Sequence, residues 1–324
     1  MKKLLFVALL AAGWSGIAQD INPTTGADVQ ASLQQQVAMQ ARSLVKNIPF
    51  AQIGPTVMSG RVVDVAVNPD KPSEFYVGYA SGGLWYTDNN GTSFSPIMDN
   101  APTQNVGDIA VDWASGTIWV GTGENNSSRS SYAGIGLLKS TDQGKTWQHM
   151  GLEDSHHIGR ILINPNNPQE VVVGVLGHLY TPNENRGLYK TIDGGNSWTK
   201  TLHISDSVGI IEVAAAPEDF NTLYAASWEK DRKAWHFEGS GNGSALYKSI
   251  DAGATWALIS TQESGFPTGA GVGRIGLAVY DAQTVYAVHD SQFRTETEKD
   301  PNARKSDALS QEDFKQMDVK AFMK

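Results

Sequence analysis

From Ile48 onward the chain is written in short apolar runs cut by Gly, Asn, Asp and Pro, which predicts strands and tight turns rather than helices. The runs recur in a fixed order. A first type reads VVDVAVNP, IAVDWA, ILINP and IIEVAAAP; a second reads EFYVGYA, TIWVGTG, EVVVGVL and NTLYAAS. A third reads GLWYTD, GLLKSTD, GLYKTID and ALYKSID, and a fourth run begins a few residues later at an aromatic. Those aromatics are Phe94, Trp147, Trp198 and Trp256, spaced 53, 51 and 58 residues apart. A fifth unit opens with VGRIGLAVYDAQTVYAVHD at 272–290, but no third run follows it.

A period near 50 residues with four strands per period predicts an all-β fold, a β-propeller of four-stranded antiparallel blades. The expected blades are 48–98, 104–150, 156–202 and 207–260, with a partial fifth at 271–294. Residues 19–47 are rich in Gln and Ala and read as a helical or flexible lead-in. Residues 295–324 are charged and read as a helical or disordered tail. Four blades and part of a fifth suggest the N-terminal part of a longer chain, so further blades of the same chain are expected as partners.

Lys2 and Lys3 precede an apolar run from Leu4 to Ala12, and Gly16 and Ala18 stand just before Gln19. This reads as a bacterial-type Sec signal peptide over 1–18, implying a secreted or periplasmic protein. The apolar run is too short to span a bilayer comfortably, so no stable membrane span is expected after cleavage. The 324 residues carry a net charge of −9 and no Lys/Arg run, which argues against a nucleic-acid partner. There is no cysteine to form a disulfide. Nine tryptophans and 33 glycines suit a strand- and turn-rich protein.

The turn before each closing aromatic carries a motif. It is complete as Ser140-x-Asp142-x-Gly144-x-Thr146-Trp147, Thr191-x-Asp193-x-Gly195-x-Ser197-Trp198 and Ser249-x-Asp251-x-Gly253-x-Thr255-Trp256. A degenerate copy, Thr87-x-Asn89-x-Gly91-x-Ser93-Phe94, has Asn for Asp. The pattern resembles the Asp-box, or BNR repeat, of β-propeller proteins that include sialidases, xyloglucan-degrading glycosidases and sortilin-type receptor domains. The span 48–290 most resembles secreted bacterial proteins described as sortilin-like or as glycosyl hydrolases. The box itself reads as structural: an Asp carboxylate can bind the amides of its own turn, Gly allows positive φ, and the aromatic can pack between blades.

Strand alternation places the boxes on one rim and the second-to-third loops on the other. Those loops vary in length, as binding loops do. They supply Glu124, Glu229 and Asp290 as candidate catalytic carboxylates, and His178, Tyr180 and Trp228 as candidate ligand contacts. Trp235 and His236 lie in the same fourth-blade loop. Aligning the first strands puts Asp64, Asp108, Arg160 and Glu212 at equivalent positions facing a central channel, with Arg61, His157 and Arg274 in lead-in loops nearby. Arg61, His157, Arg160 and Arg274 join the expected ligand-binding set.

Three arginines at one end of a propeller are similar to the carboxylate clamp of sialidases, but the Phe/Tyr-Arg-Ile-Pro motif is absent. Resemblance to the xyloglucanases implies an acid ahead of a Gly-Gly pair, where YASGGLW has Ala80. His156 and His157 are adjacent and would face opposite ways in an extended chain, so no metal site is expected. Neither a serine nucleophile elbow nor a phosphate loop is present, and no cofactor is expected. The expected function is binding of an extracellular glycan or peptide through the loop-rich rim. The alternative is a glycoside hydrolase using two rim carboxylates.

Overall fold

A computed structural model of the chain describes residues 24–48 and 60–293. The expected signal peptide, the expected charged tail and residues 49–59 of the first expected blade lie outside the described residues. The chain divides after Gln292 into two units, and the architecture below is that of the first.

The lead-in forms a helix, α1 (Gly26–Arg42), opened by a capping box in which Thr25 and Asp28 each bind the other's backbone N–H. No side chain of α1 is buried. Gln30 donates to Nδ1 of His149 at 3.3 Å, tying the helix to the second blade. Among the described residues no helix is long and apolar enough to cross a membrane.

Four sheets follow, each of four antiparallel strands in chain order. Blade one is β1 (Val62–Val67), β2 (Phe75–Tyr79), β3 (Gly83–Thr87) and β4 (Ser95–Pro96). Blade two is β5 (Val106–Asp112), β6 (Thr117–Thr122), β7 (Leu137–Ser140) and β8 (Gln148–His149). Blade three is β9 (Ile158–Ile163), β10 (Val171–Val175), β11 (Gly187–Thr191) and β12 (Thr199–Leu202). Blade four begins with β13 (Val208–Ala216) and β14 (Asp219–Glu229). A small hairpin, β15 (Asp231–Arg232) and β16 (Phe237–Glu238), interrupts it before β17 (Leu246–Ser249) and β18 (Ala257–Leu258) complete the sheet. The sequence shows this segment only as a long loop. Finally, β19 (Val272–Val279) and β20 (Val285–Ser291) make a two-stranded sheet.

The core lies between blades. Leu84 and Met98 of blade one meet Ile109 and Leu138 of blade two. Trp119 and Leu137 meet Ile161 and Val173 at the next boundary, and Val172 and Leu188 meet Ile210 and Leu223 at the third. Both faces of β10 are therefore buried, which explains why EVVVGVL is continuously apolar rather than alternating. At the first and last sheets of the described residues, side chains are left in solvent. Val62, Val65 and Val67 of β1 are exposed, as are Tyr286 and Val288 of β20.

Each first strand carries a β-bulge just before its polar residue, between Val62 and Asp64, Val106 and Asp108, Ile158 and Arg160, and Ile210 and Glu212. β19 repeats it between Val272 and Ile275. Two bulge residues are glycines for a steric reason: a Cβ on Gly107 would lie 2.5 Å from the Ile158 carbonyl oxygen, and one on Gly159 2.5 Å from that of Ile210. The bulges let the first strands of successive blades approach backbone to backbone, and they re-aim the following side chain.

Candidate functional site

The boxes close onto themselves. Asp142 Oδ1 accepts from the Thr146 amide at 2.9 Å and from the Ser140 hydroxyl at 2.8 Å, while Oδ2 accepts from the Thr146 hydroxyl at 2.6 Å. Ser140 in turn accepts from the Gly144 amide at 2.8 Å. Blades three and four repeat the pattern around Asp193 and Asp251. The Thr146 hydroxyl and amide, with Ser140, hold the Asp142 carboxyl down at about 2, and Thr255 and Ser249 do the same for Asp251. The hydroxyls of Ser197 and Thr191 likewise lower Asp193. A carboxylate so fully engaged and so acidic is a poor general acid or base.

The box tryptophans reach the preceding blade. Trp147 donates to the Ile97 carbonyl at 3.3 Å, Trp198 to that of Met150 at 2.7 Å, and Trp256 to the Thr201 hydroxyl at 3.3 Å. Gly195 and Gly253 adopt φ +95° and +81°, and a Cβ on Gly195 would strike Trp119 of the preceding blade at 2.6 Å. A second strut runs the other way, and sequence reading passed it over. Lys139 donates to the Gly194 carbonyl at 3.0 Å and Lys190 to that of Ala252 at 2.8 Å, each inside the next blade's box. The signal was present, because lysine precedes the box Ser/Thr in all three complete copies.

The bulged first strands converge on one charged cluster. Arg160 places Nε and Nη2 on the two Glu212 oxygens at 2.6 and 2.9 Å. Its Nη1 lies 3.0 Å from Asp108 Oδ1 and 3.6 Å from Asp64 Oδ1. The acids are also backbone ligands: Asp64 accepts from the Ile109 amide at 3.3 Å and Asp108 from the Ile161 amide at 2.6 Å. Arg160, expected to bind a ligand, is instead the shared counter-ion of three carboxylates. A clamp for a ligand carboxylate needs a guanidinium fork that is free, and this one is filled.

Arg274 corrects a second expectation. It lies on β19, not in a lead-in loop, and follows the bulge Gly273 as Arg160 follows Gly159. The matching words IGRI and VGRI carried this signal. Arg274 Nη1 donates to Asn126 Oδ1 at 2.9 Å, and its guanidinium lies over the Trp228 ring at 5.8 Å.

Asn126 also donates to Glu124 at 3.1 Å, and Arg61 grips the same carboxylate through Nε at 2.6 Å and Nη2 at 2.5 Å. The structure thus joins Arg61, Glu124, Arg274 and Trp228 into one network spanning four sheets. The Glu124 side chain is only 1 % exposed. Burial raises its pKa, but the hydrogen bonds from Arg61, Asn126 and Ser131 outweigh that and leave it below the ordinary value. Glu124 is held ionised and neutralised, the opposite of what a general acid requires.

Other predicted contacts turn inward. His157 is buried, and its Nδ1 meets the Glu124 carbonyl at 2.8 Å. Burial drives its pKa down to about 3, so the ring is neutral. His178 is buried between Thr181, 2.9 Å from Nδ1, and Asp154, 3.1 Å from Nε2. Trp228 is 4 % exposed and donates to the Gly239 carbonyl at 2.8 Å, so it cannot stack on a ligand face. Tyr180 is 43 % exposed and donates to the Arg129 carbonyl at 2.9 Å, bridging the long loops of blades two and three. Asp290 accepts from Gln292 at 2.8 Å on an exposed edge.

The remaining candidate, Glu229, opens into a cavity of about 250 Å³ between the second-to-third loops of blades three and four. Thr181, Arg186, Ser207, Lys230, Asp231 and Glu238 are among its walls. Glu229 Oε2 accepts from the Gly243 amide at 2.7 Å. Arg186 is 2 % exposed and donates to the carbonyls of Ser207, His178 and Thr181, yet its buried Nε has no partner among the described residues. Burial, reinforced by the Arg186 charge, pulls the Lys230 ammonium down to about 7. Trp235 stands in the β15–β16 hairpin between the wall residues Lys233 and Glu238 and is 86 % exposed. Trp235 presents the free aromatic face that Trp228 does not.

Comparison with known proteins gives one family match, the BNR/Asp-box repeat model over residues 138–149, the box of blade two. No curated protein matches the sequence. Among solved structures the chain is similar to a Niastella koreensis GH74 enzyme, at 18 % identity and TM-score 0.49, over 70 % of this chain and 35 % of that one. It is also similar to the GH74 xyloglucanase of Xanthomonas campestris, at 17 % identity and TM-score 0.47, over the same 70 % and 35 %. YCF48 of Cyanidioschyzon merolae aligns at 17 % identity and TM-score 0.43, over 74 % of this chain and 70 % of that one. The chain spans about a third of the length of each of these two GH74 enzymes. The chain thus carries the Asp-box, or BNR, repeat motif on three successive four-stranded antiparallel sheets of a β-propeller fold, with a degenerate copy on a fourth.

Proposed function

We propose that this chain is an exported propeller that binds an extracellular glycan or peptide at the cavity between the long loops of blades three and four. The observation that carries the reading is the cavity itself: a recess with cationic, acidic and hydroxyl walls beside an exposed tryptophan. Buried polar groups in such a recess suit the hydroxyls of a sugar or the amides of a peptide, and Trp235 offers a stacking face. Export rests on the N-terminal Lys2–Ala18 pattern. The exposed faces of β1 and β20 suit coverage by further blades of a longer chain.

Glycan and peptide arrays probed with the whole chain test the binding reading. Capture of one ligand class, lost in Trp235→Ala and Lys230→Met, supports it; equal capture by both variants contradicts it. A hydrolytic alternative rests on Glu229, Asp231 and Glu238 lining one cavity, since paired carboxylates about 5–9.5 Å apart cleave glycosidic bonds. Reducing-sugar release from a bound glycan, abolished in Glu229→Gln, would favour that alternative.

A further inference from the structure

The crossover from blade two to blade three and the second-to-third loop of blade three bring three metal-type donors together. Asp154, His156 and His178 each offer one donor atom, and all three atoms lie within 4.8 Å of one another. His178 Nε2 is 3.1 Å and His156 Nε2 3.6 Å from the same oxygen, Asp154 Oδ1. Donors at about 2.0–2.1 Å from a tetrahedral zinc ion stand about 3.3 Å apart, which these distances bracket.

Asp154 and His178 are also held from behind, as metal ligands are. Asp154 Oδ2 accepts from Asn185 at 2.8 Å, and the Asp154 carbonyl accepts from Asn183 at 3.1 Å. His178 Nδ1 meets the Thr181 hydroxyl at 2.9 Å, and its carbonyl accepts from Arg186 at 2.9 Å and Lys230 at 3.4 Å. Those two cations sit on the backbone oxygen, leaving the ring nitrogen on the Asp154 side. His156 adopts φ +53°, an uncommon conformation for a residue other than glycine, directly after the 3-10 turn Glu153–Ser155. That kink turns His156 toward His178, and the rings stack at 3.8 Å with planes 29° apart. The extended chain assumed for residues 156 and 157 is interrupted by that kink, and the partner of His156 is supplied by a distant loop, which no sequence spacing displays.

We propose that Asp154, His156 and His178 form a binding site for a divalent cation of the zinc class, with a fourth position open to solvent. Two imidazoles and one carboxylate suit zinc and its first-row neighbours rather than calcium or magnesium. Both Nε2 atoms already lie near Asp154 Oδ1, and because the rings are stacked, capture requires at least one of them to turn out of the stack. The site would clamp the crossover to the blade-three loop beside the cavity.

The test is titration of the metal-free whole chain with Zn²⁺ by calorimetry and with Co²⁺ by visible absorption. One equivalent bound, with d–d bands of a low-coordinate cobalt site, is expected. Asp154→Asn and His178→Ala are each expected to weaken binding by about 100-fold or more, and Thr181→Val by about 10-fold through the outer shell. Wild-type protein that takes up no stoichiometric ion at micromolar concentration overturns the proposal, as does binding unchanged in both ligand variants. Because the wild-type titrations are decisive alone, a variant that fails to fold does not shield it.

Discussion

Asp193 and Asn89 occupy the same place in two boxes and satisfy the turn by different means. Asp193 accepts from the Ser197 hydroxyl, whereas Asn89 donates to the Ser93 hydroxyl at 2.8 Å and keeps the amide contact to Ser93 at 3.0 Å. The turn therefore needs an oxygen at Oδ1 and tolerates either group at the second position. Asp193→Asn is expected to lower the melting temperature less than Asp193→Ala. Equal losses would mean that the side-chain oxygen is not what holds the turn.

The lowered carboxyls also fix a sign. A group whose folded pKa lies below its unfolded value stabilises the fold above the unfolded value and loses that contribution as pH falls through the folded one. For Asp142 and Asp251 the window runs from the ordinary 3.8 down to about 2. The stability difference between wild type and the triple variant Asp142→Asn, Asp193→Asn, Asp251→Asn should therefore shrink as pH is lowered across that window. A difference independent of pH in denaturant titrations would contradict the account.

At the scale of the element, a blade is fastened by its box from both sides. The tryptophan reaches back one blade, and the lysine of the preceding blade reaches forward into the box. Gly195→Ala would impose a left-handed alanine and a clash with Trp119, costing about 2–4 kcal/mol by guanidinium unfolding. Trp198→Ala, at a half-buried site, should cost about 3 kcal/mol. Costs near zero for both would remove the box from the inter-blade contact.

Strand order, blade period and the role of the box were legible because each is local: alternation, a fixed offset, a turn closed within seven residues of itself. The site was less legible because its character depends on what lies opposite each side chain. Trp228 and Trp235 sit seven positions apart, yet one is buried at the end of β14 beside Arg274 and the other stands in solvent in the β15–β16 hairpin. Arg160 could be placed on the first strand from the sequence, but its three partners come from three different blades. Charge alone could not reveal that its fork is already filled.

Across the whole unit, the first strands share the Arg160 cluster, so charge balance there couples the blades. Removing the arginine leaves Asp108 buried beside two further carboxylates. Arg160→Met should destabilise the fold by about 2–4 kcal/mol, and adding Asp108→Asn should recover part of that loss. Full additivity of the two changes would show that they do not interact. The same partition of labour, with boxes fastening one rim and long loops shaping the other, is the central claim. It is tested most directly by titrating the ligand captured on the arrays against two variants of the whole chain. Asp193→Asn on the box rim should bind as wild type does, and Trp235→Ala on the cavity rim should bind at least 10-fold more weakly. Loss of binding in Asp193→Asn with full binding in Trp235→Ala would contradict the account.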